Sequence, residues 1–113
     1  DTLFSLGAAI SGGFGNLCEG YLGDAATGLY KPAKVARFDV KNPHGVNPAG
    51  IILAAAKMLE YSFDKSLAKT AVENAVEEVI SQNFVTPDMK NKRDENQKVI
   101  STEEFTDEVI KRL

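Results

Sequence analysis

At 113 residues the chain has room for one domain and a modest core, and its lone cysteine excludes an internal disulfide or a multi-cysteine metal site. Hydrophobic residues make up 43% and charged residues 26%, the composition of a folded chain rather than a disordered one. A net charge of −3 excludes bulk attraction to nucleic acid or anionic lipid, and no apolar run reaches the roughly 20 residues of a membrane span.

Leu3, Leu6 and Ile10 recur at helical spacing, which predicts a short helix over 2–11 with one buried face. Asp1 stands where a helix N-cap would stand, and Gly12, Gly13 and Gly15 stop the helix. Because that Gly-Gly-x-Gly run follows a helix rather than a strand, it is no dinucleotide phosphate loop. The chain opens without an initiator Met, inside a helical turn, which leads us to expect a longer polypeptide or the mature end of one.

The stretch 16–47 reads as irregular, with glycines at 20, 23 and 28 and prolines at 32 and 43, and a short extended piece near 34–40. Cys18 is expected to be a small packing residue. Lys31, Lys34 and Arg37 form a small basic cluster whose simplest reading is a solvated loop. His44, the only histidine, rules out histidine-based triads and multi-histidine metal sites and is expected in an exposed loop.

Asn47-Pro48 is the clearest helix start: Asn caps free N–H groups, and Pro in the first turn loses nothing by lacking one. The helix predicted over 48–61 carries Ile51, Ile52, Leu53, Met58 and Leu59 among alanines, apolar nearly all round, which implies burial in a core or an interface. A second helix, 64–83, has Leu67, Ala71, Ala75 and Val79 on one stripe, widened by Val72, Val76 and Ile80. Its opposite face carries Lys65, Lys69, Glu73 and Glu77. Residues 86–98 read as a polar linker with seven charges of mixed sign. Ser101 and Glu104 then form a capping-box pattern, opening a last helix with Phe105, Val109, Ile110 and Leu113 inward.

The opening run Asp1-Thr2-Leu3-Phe4-Ser5-Leu6-Gly7-Ala8-Ala9-Ile10-Ser11-Gly12-Gly13-Phe14-Gly15 resembles the D-I-L-S-D-L-x-A-x-L-x-G-G-L-G stretch of the isocitrate and isopropylmalate dehydrogenase family. In the same register, Gly23 falls on the glycine of the family's N-I-G turn, and the run from Asn47 to Leu59 falls on its N-P-T-A-L-L-L-S-x-x-M-M-L helix. The ending from Phe105 to Leu113 is similar to the F-T-E-x-V-I-K-R-L ending of eukaryotic NAD-dependent isocitrate dehydrogenase subunits. The resemblance implies an α/β fold, here the C-terminal portion of the family's large domain, predominantly helical, with 1–113 as a single domain or part of one.

The resemblance also implies what the ligand positions have become. In the family two aspartates, four residues apart, hold Mg²⁺ or Mn²⁺; here Asp1 keeps the first position and Ser5 takes the second. A single carboxylate suits neither ion, since both want several oxygen ligands in near-octahedral array. Asp1 is therefore an incomplete metal position. The family's H-G-T-A-P-D loop for the adenosine end of NAD becomes Lys34-Val35-Ala36-Arg37-Phe38-Asp39. A β-branched Val35 in place of glycine blocks close backbone approach. Asp39 and Asn47 remain as vestigial cofactor positions, and His44-Gly45, ten residues late, is a coincidental echo of the missing pair. Thr86-x-Asp88-Met89 resembles the family's T-x-D-L segment, with Lys90-Asn91 where a Gly-Gly should follow, as in a lengthened surface loop.

The family's substrate arginines, catalytic tyrosine and lysine, and most of its small domain have no counterpart in these residues. The expectation is a non-catalytic, isocitrate dehydrogenase-like subunit with a structural or regulatory role in a larger mitochondrial assembly, without NAD or metal, among other protein subunits. The alternative is the C-terminal piece of a working subunit that oxidatively decarboxylates isocitrate to 2-oxoglutarate. A bare helical interaction module is a third reading.

Overall fold

The computed structural model describes residues 2–10, 16–33 and 41–113, excluding the side chains at positions 4, 5, 8 and 9. Helix α1 spans Thr2–Ile10, followed by strands β1 (Cys18–Leu22) and β2 (Gly28–Pro32) and a 3-10 turn at Pro43–Gly45. Helices α2 (Ala49–Tyr61) and α3 (Ser66–Ser81) come next, then β3 (Phe84–Val85), a 3-10 turn at Pro87–Met89, β4 (Lys98–Val99) and α4 (Thr102–Ile110). The mixed, mostly helical α/β character expected from the sequence is what the chain adopts.

Asn47 and Pro48 start α2 as anticipated, with the boundary one residue later. Asn47 Oδ1 accepts from Ala49 N–H at 2.9 Å, and Ile52 N–H makes the first helical bond to Pro48 O at 3.1 Å. The chain turns after α2 through Asp64, whose φ of 52° lies in the left-handed region that Asn and Asp tolerate better than most residues. Asn83, at φ 65°, plays the same part after α3 and turns the chain into β3. At α4 both halves of the capping box form: Ser101 Oγ accepts from Glu104 N–H at 3.1 Å and Glu104 Oε2 accepts from Ser101 N–H at 2.8 Å.

The core is drawn from α2, α3 and α4. Ala49, Ala75, Val76, Val79, Phe105 and Val109 are buried together, with Ile52, Leu53, Phe84 and Ile100 packed against them. Burying a side chain such as Phe105 contributes about 1.5–3 kcal/mol. Arg112 fastens α4 to the end of α3. Its Nη1 donates to Glu108 O and Oε2, both at 2.7 Å, its Nη2 donates to Gln82 Oε1, and its guanidinium lies 5.7 Å from the Phe84 ring centre.

Two sheet elements depart from the sequence expectation. Residues 18–32, read as irregular, form an antiparallel hairpin in register Cys18↔Pro32, Gly20↔Tyr30 and Leu22↔Gly28. Its 23–27 loop is closed by Gly23 N–H to Thr27 O at 2.9 Å. The Tyr30 ring lies over its cross-strand partner Gly20 and over Gly28, where an added Cβ would fall 2.6 Å from the phenol oxygen. That hydroxyl hydrogen-bonds Ser62 Oγ at 2.8 Å, tying the hairpin to the end of α2. The expected linker 86–98 contributes β4, which pairs in parallel with β3 through Phe84↔Lys98 and Val85↔Val99. The extended piece expected at 34–40 and the glycine stop at 12–15 lie outside the described residues.

The buried stripes are shorter than their periodicity implied. On α3 burial is confined to the second half, at Ala75, Val76 and Val79, and Leu67 in the first turn is 88% exposed. On α4, Phe105 and Val109 point inward, but Ile110 lies about 100° further round the helix and faces solvent with Leu113. Helix α1 forms as predicted, yet its expected buried face is largely exposed among the described residues: Leu3, Leu6 and Ile10 are 79%, 56% and 80% exposed.

Candidate functional site

The turn at 43–47 is where the chain's distant parts converge. Asn47 is fixed from three directions: its Oδ1 caps α2, its Nδ2 donates to Asn16 Oδ1 at 2.8 Å, and its backbone N–H donates to Asp88 Oδ2 at 3.0 Å. Asp88 in turn accepts at Oδ1 from the hydroxyl of Thr86, 2.5 Å away. Thr86 is only 1% exposed, and this bond satisfies a hydroxyl that would otherwise be costly to bury.

The preceding residues are held from α4. Thr102 Oγ1 donates to Val46 O at 2.6 Å and accepts from Val46 N–H at 3.1 Å, so one hydroxyl serves both backbone groups of Val46. Nδ1 of the exposed His44 lies 2.5 Å from Glu103 Oε1. The His44 hydrogen bond holds the Glu103 carboxyl below the ordinary glutamate range. At Gly45 an added Cβ would meet the Asn42 side-chain amide at 2.7 Å and Pro87 at 3.2 Å, so the turn also packs closely on the 87–89 turn.

Among the expected site residues, Asn47 belongs to this network, while Asp1 and Asp39 lie outside the described residues. In the basic cluster, Lys31 pairs with Glu19 at 3.3 Å, and Lys34 and Arg37 lie outside the described residues. His44 is exposed, as expected of a loop position. Cys18 is half-buried, and burial pushes its thiol pKa up, which suits a packing role and disfavours a reactive thiolate. Among the described residues no group of three or more His, Cys, Asp or Glu could hold a metal ion.

Sequence reasoning missed Asp88 and Asn16 as partners of Asn47, Thr86 as the partner of Asp88, and Thr102 as the partner of Val46. The Thr-x-Asp spacing was a legible local signal, since such side chains bond one another and nearby backbone across two residues. That Asp88 would meet a backbone N–H 41 positions earlier was not legible. The 86–89 segment, expected as ordinary surface loop, is an anchored one.

With this geometry in hand, comparison with known proteins is specific. The family model for isocitrate/isopropylmalate dehydrogenase matches residues 1–109. The chain is 34% identical over 113 residues to the 3-isopropylmalate dehydrogenase of Heyndrickxia coagulans, covering 100% of this chain and 30% of that protein. It is 36% identical over 89 residues to that of a Synechococcus strain, covering 79% and 24% respectively. A crystal structure of isocitrate dehydrogenase from Methylococcus capsulatus superposes with a TM-score of 0.79 at 28% identity, over 98% of this chain and 31% of that one. The chain thus spans under a third of the length of these relatives.

Proposed function

The chain belongs to the isocitrate/isopropylmalate dehydrogenase family, and from that premise we propose that it serves as the C-terminal part of a non-catalytic, isocitrate dehydrogenase-like subunit with a structural or regulatory role. The observation that carries this reading is the employment of Asn47. Both ends of its amide and its backbone N–H are engaged by Ala49, Asn16 and Asp88, so the residue that resemblance assigns to the cofactor serves the fold. Ser5, Lys34, Val35 and Phe38, at positions the family uses for metal and dinucleotide, support the same reading. Apolar residues left exposed on α2, among them Ile51, Met58 and Tyr61, support a place among other subunits. The resemblance to eukaryotic NAD-dependent isocitrate dehydrogenase subunits makes a mitochondrial assembly our proposed setting.

Titration calorimetry with NAD, alone and with Mn²⁺, tests this: no saturable heat is expected from the native full-length protein. Saturable micromolar binding, with isocitrate or 3-isopropylmalate oxidised in the same preparation, would sink the proposal and establish a working dehydrogenase. That second reading draws its support from the relatives' own names and their 34–36% identity.

A further inference from the structure

We infer that residues 86–103 form a latch that sets the conformation of the turn leading into α2, so that residues 44–47 are held or released as one unit. The inference stands apart from whether the protein is catalytic. It rests on who satisfies the turn's polar groups. The N–H of Val46 and the N–H of Asn47 belong to consecutive residues, and each donates to a side chain far along the chain. The first donates to Thr102 Oγ1 and the second to Asp88 Oδ2, side chains 56 and 41 residues further along the chain. The carbonyl of Val46 is taken by the same Thr102 hydroxyl, and His44 by Glu103 in the same helical turn.

The two arms of the latch are themselves braced. Asp88 is oriented by the buried Thr86, and the first turn of α4 is fixed by the capping box of Ser101 and Glu104. Between the arms runs β4, paired to β3, so that 86–103 is tied to the sheet just ahead of α4 and to the turn through Asp88 and Thr102. Loss of either arm leaves a backbone amide to water and frees the neighbouring residue to follow. Position of the C-terminal helix and conformation of the 44–47 turn are then linked quantities, each biasing the other.

Amide hydrogen exchange by NMR on the native full-length protein reads this directly. Thr102→Val, which removes the hydroxyl at nearly constant volume, is expected to raise exchange at Val46 about fivefold, the loss of one net hydrogen bond. Asp88→Ala is expected to do the same at Asn47. The latch requires cross-effects: Thr102→Val also raises exchange at Asn47, and Asp88→Ala at Val46, while Val76 and Val79 in α3 stay at parental rates. Thr102→Ser, which keeps the hydroxyl, should stay near the parent at both amides. Ser101→Ala, whose hydrogen bonds lie within α4, should loosen both amides as well. Effects confined to each variant's own bonded amide would overturn the inference. So would a rise of equal size in α3, since that reports general unfolding.

Discussion

The two ends of this chain use their apolar residues in opposite ways. From Ala49 onward, three helices enclose one cluster, and Phe105, Val76 and Val79 are almost wholly removed from water. Before residue 33, α1 and the hairpin present Leu3, Leu6, Ile10, Tyr21, Leu22 and Leu29 outward. Both regions are equally well supplied with hydrophobic side chains, so composition does not separate them. The hairpin does pack one side on α2, where Tyr30 reaches Ser62. Among the described residues, however, the apolar side chains that it and α1 turn outward stay exposed, and a helix or a two-stranded ribbon always needs a second layer to receive them.

The strongest way to break the contrast is at Phe105. Phe105→Ala should cost about 3–5 kcal/mol in chemical denaturation, because the ring is almost wholly buried in the core cluster and its loss leaves a cavity. A cost below about 1 kcal/mol would mean that the helical half is as loosely covered as the other. Next comes Asn47, the residue that joins the regions through Asn16. Asn47→Ala should cost about 1–2 kcal/mol from the lost cap and its contact, measured by the same unfolding transition.

Leu29→Asp sharpens the comparison from the open side. Stability followed at α3 amides should change by less than about 0.5 kcal/mol, while sedimentation should shift toward smaller species. A loss above about 2 kcal/mol at α3 would show that the hairpin is part of the same core after all.

The smallest effect is electrostatic and confined to the helical half. Glu103 is held below the ordinary glutamate range by His44, and Glu108 by Lys111 and Arg112. A depressed carboxyl contributes stability above its unfolded pKa and loses it as pH falls through the folded value. Lys69 runs the other way: its bond to Glu73 raises it, so its contribution is present below the usual lysine range and lost as pH rises through the raised value. Glu103→Gln should therefore flatten the acid side of the melting-temperature profile slightly and leave the alkaline side alone. The His44–Glu103 pair is solvent-exposed and screened, so raised salt should blunt it most, and the half-buried Arg112–Glu108 pair less.

What could be read from residue order was whatever is decided within a turn or two. Asn47 acts on an amide two residues on and the Ser101/Glu104 box on one three residues away, and both formed as anticipated. The hairpin was hidden because Cys18–Leu22 and Gly28–Pro32 are exposed along much of both faces, so selection for a buried side left no alternation to detect. The β3–β4 pair is two residues long and parallel, joined across fourteen positions, and no local pattern announces it. Leu67, Ile110 and Leu113 misled for the opposite reason: periodicity reports which residues share a face, not how far the opposing surface extends along it. The Asn47 position was legible as a cap and by resemblance, and Thr86 by its spacing from Asp88, while the roles of Asp88 and Thr102 depend on contacts more than 40 residues apart.

Arg112 gives the segment after α4 an unexpected resistance to digestion. Trypsin must draw an arginine side chain out into its own pocket, and here that side chain is occupied by Glu108, Gln82 and the face of Phe84. The bond before Leu113 is thus poorly presented, whereas Lys90, Lys92 and Arg93 stand exposed between the two short strands. Nicking there would leave two fragments still pinned together by the paired strands and the shared helical core.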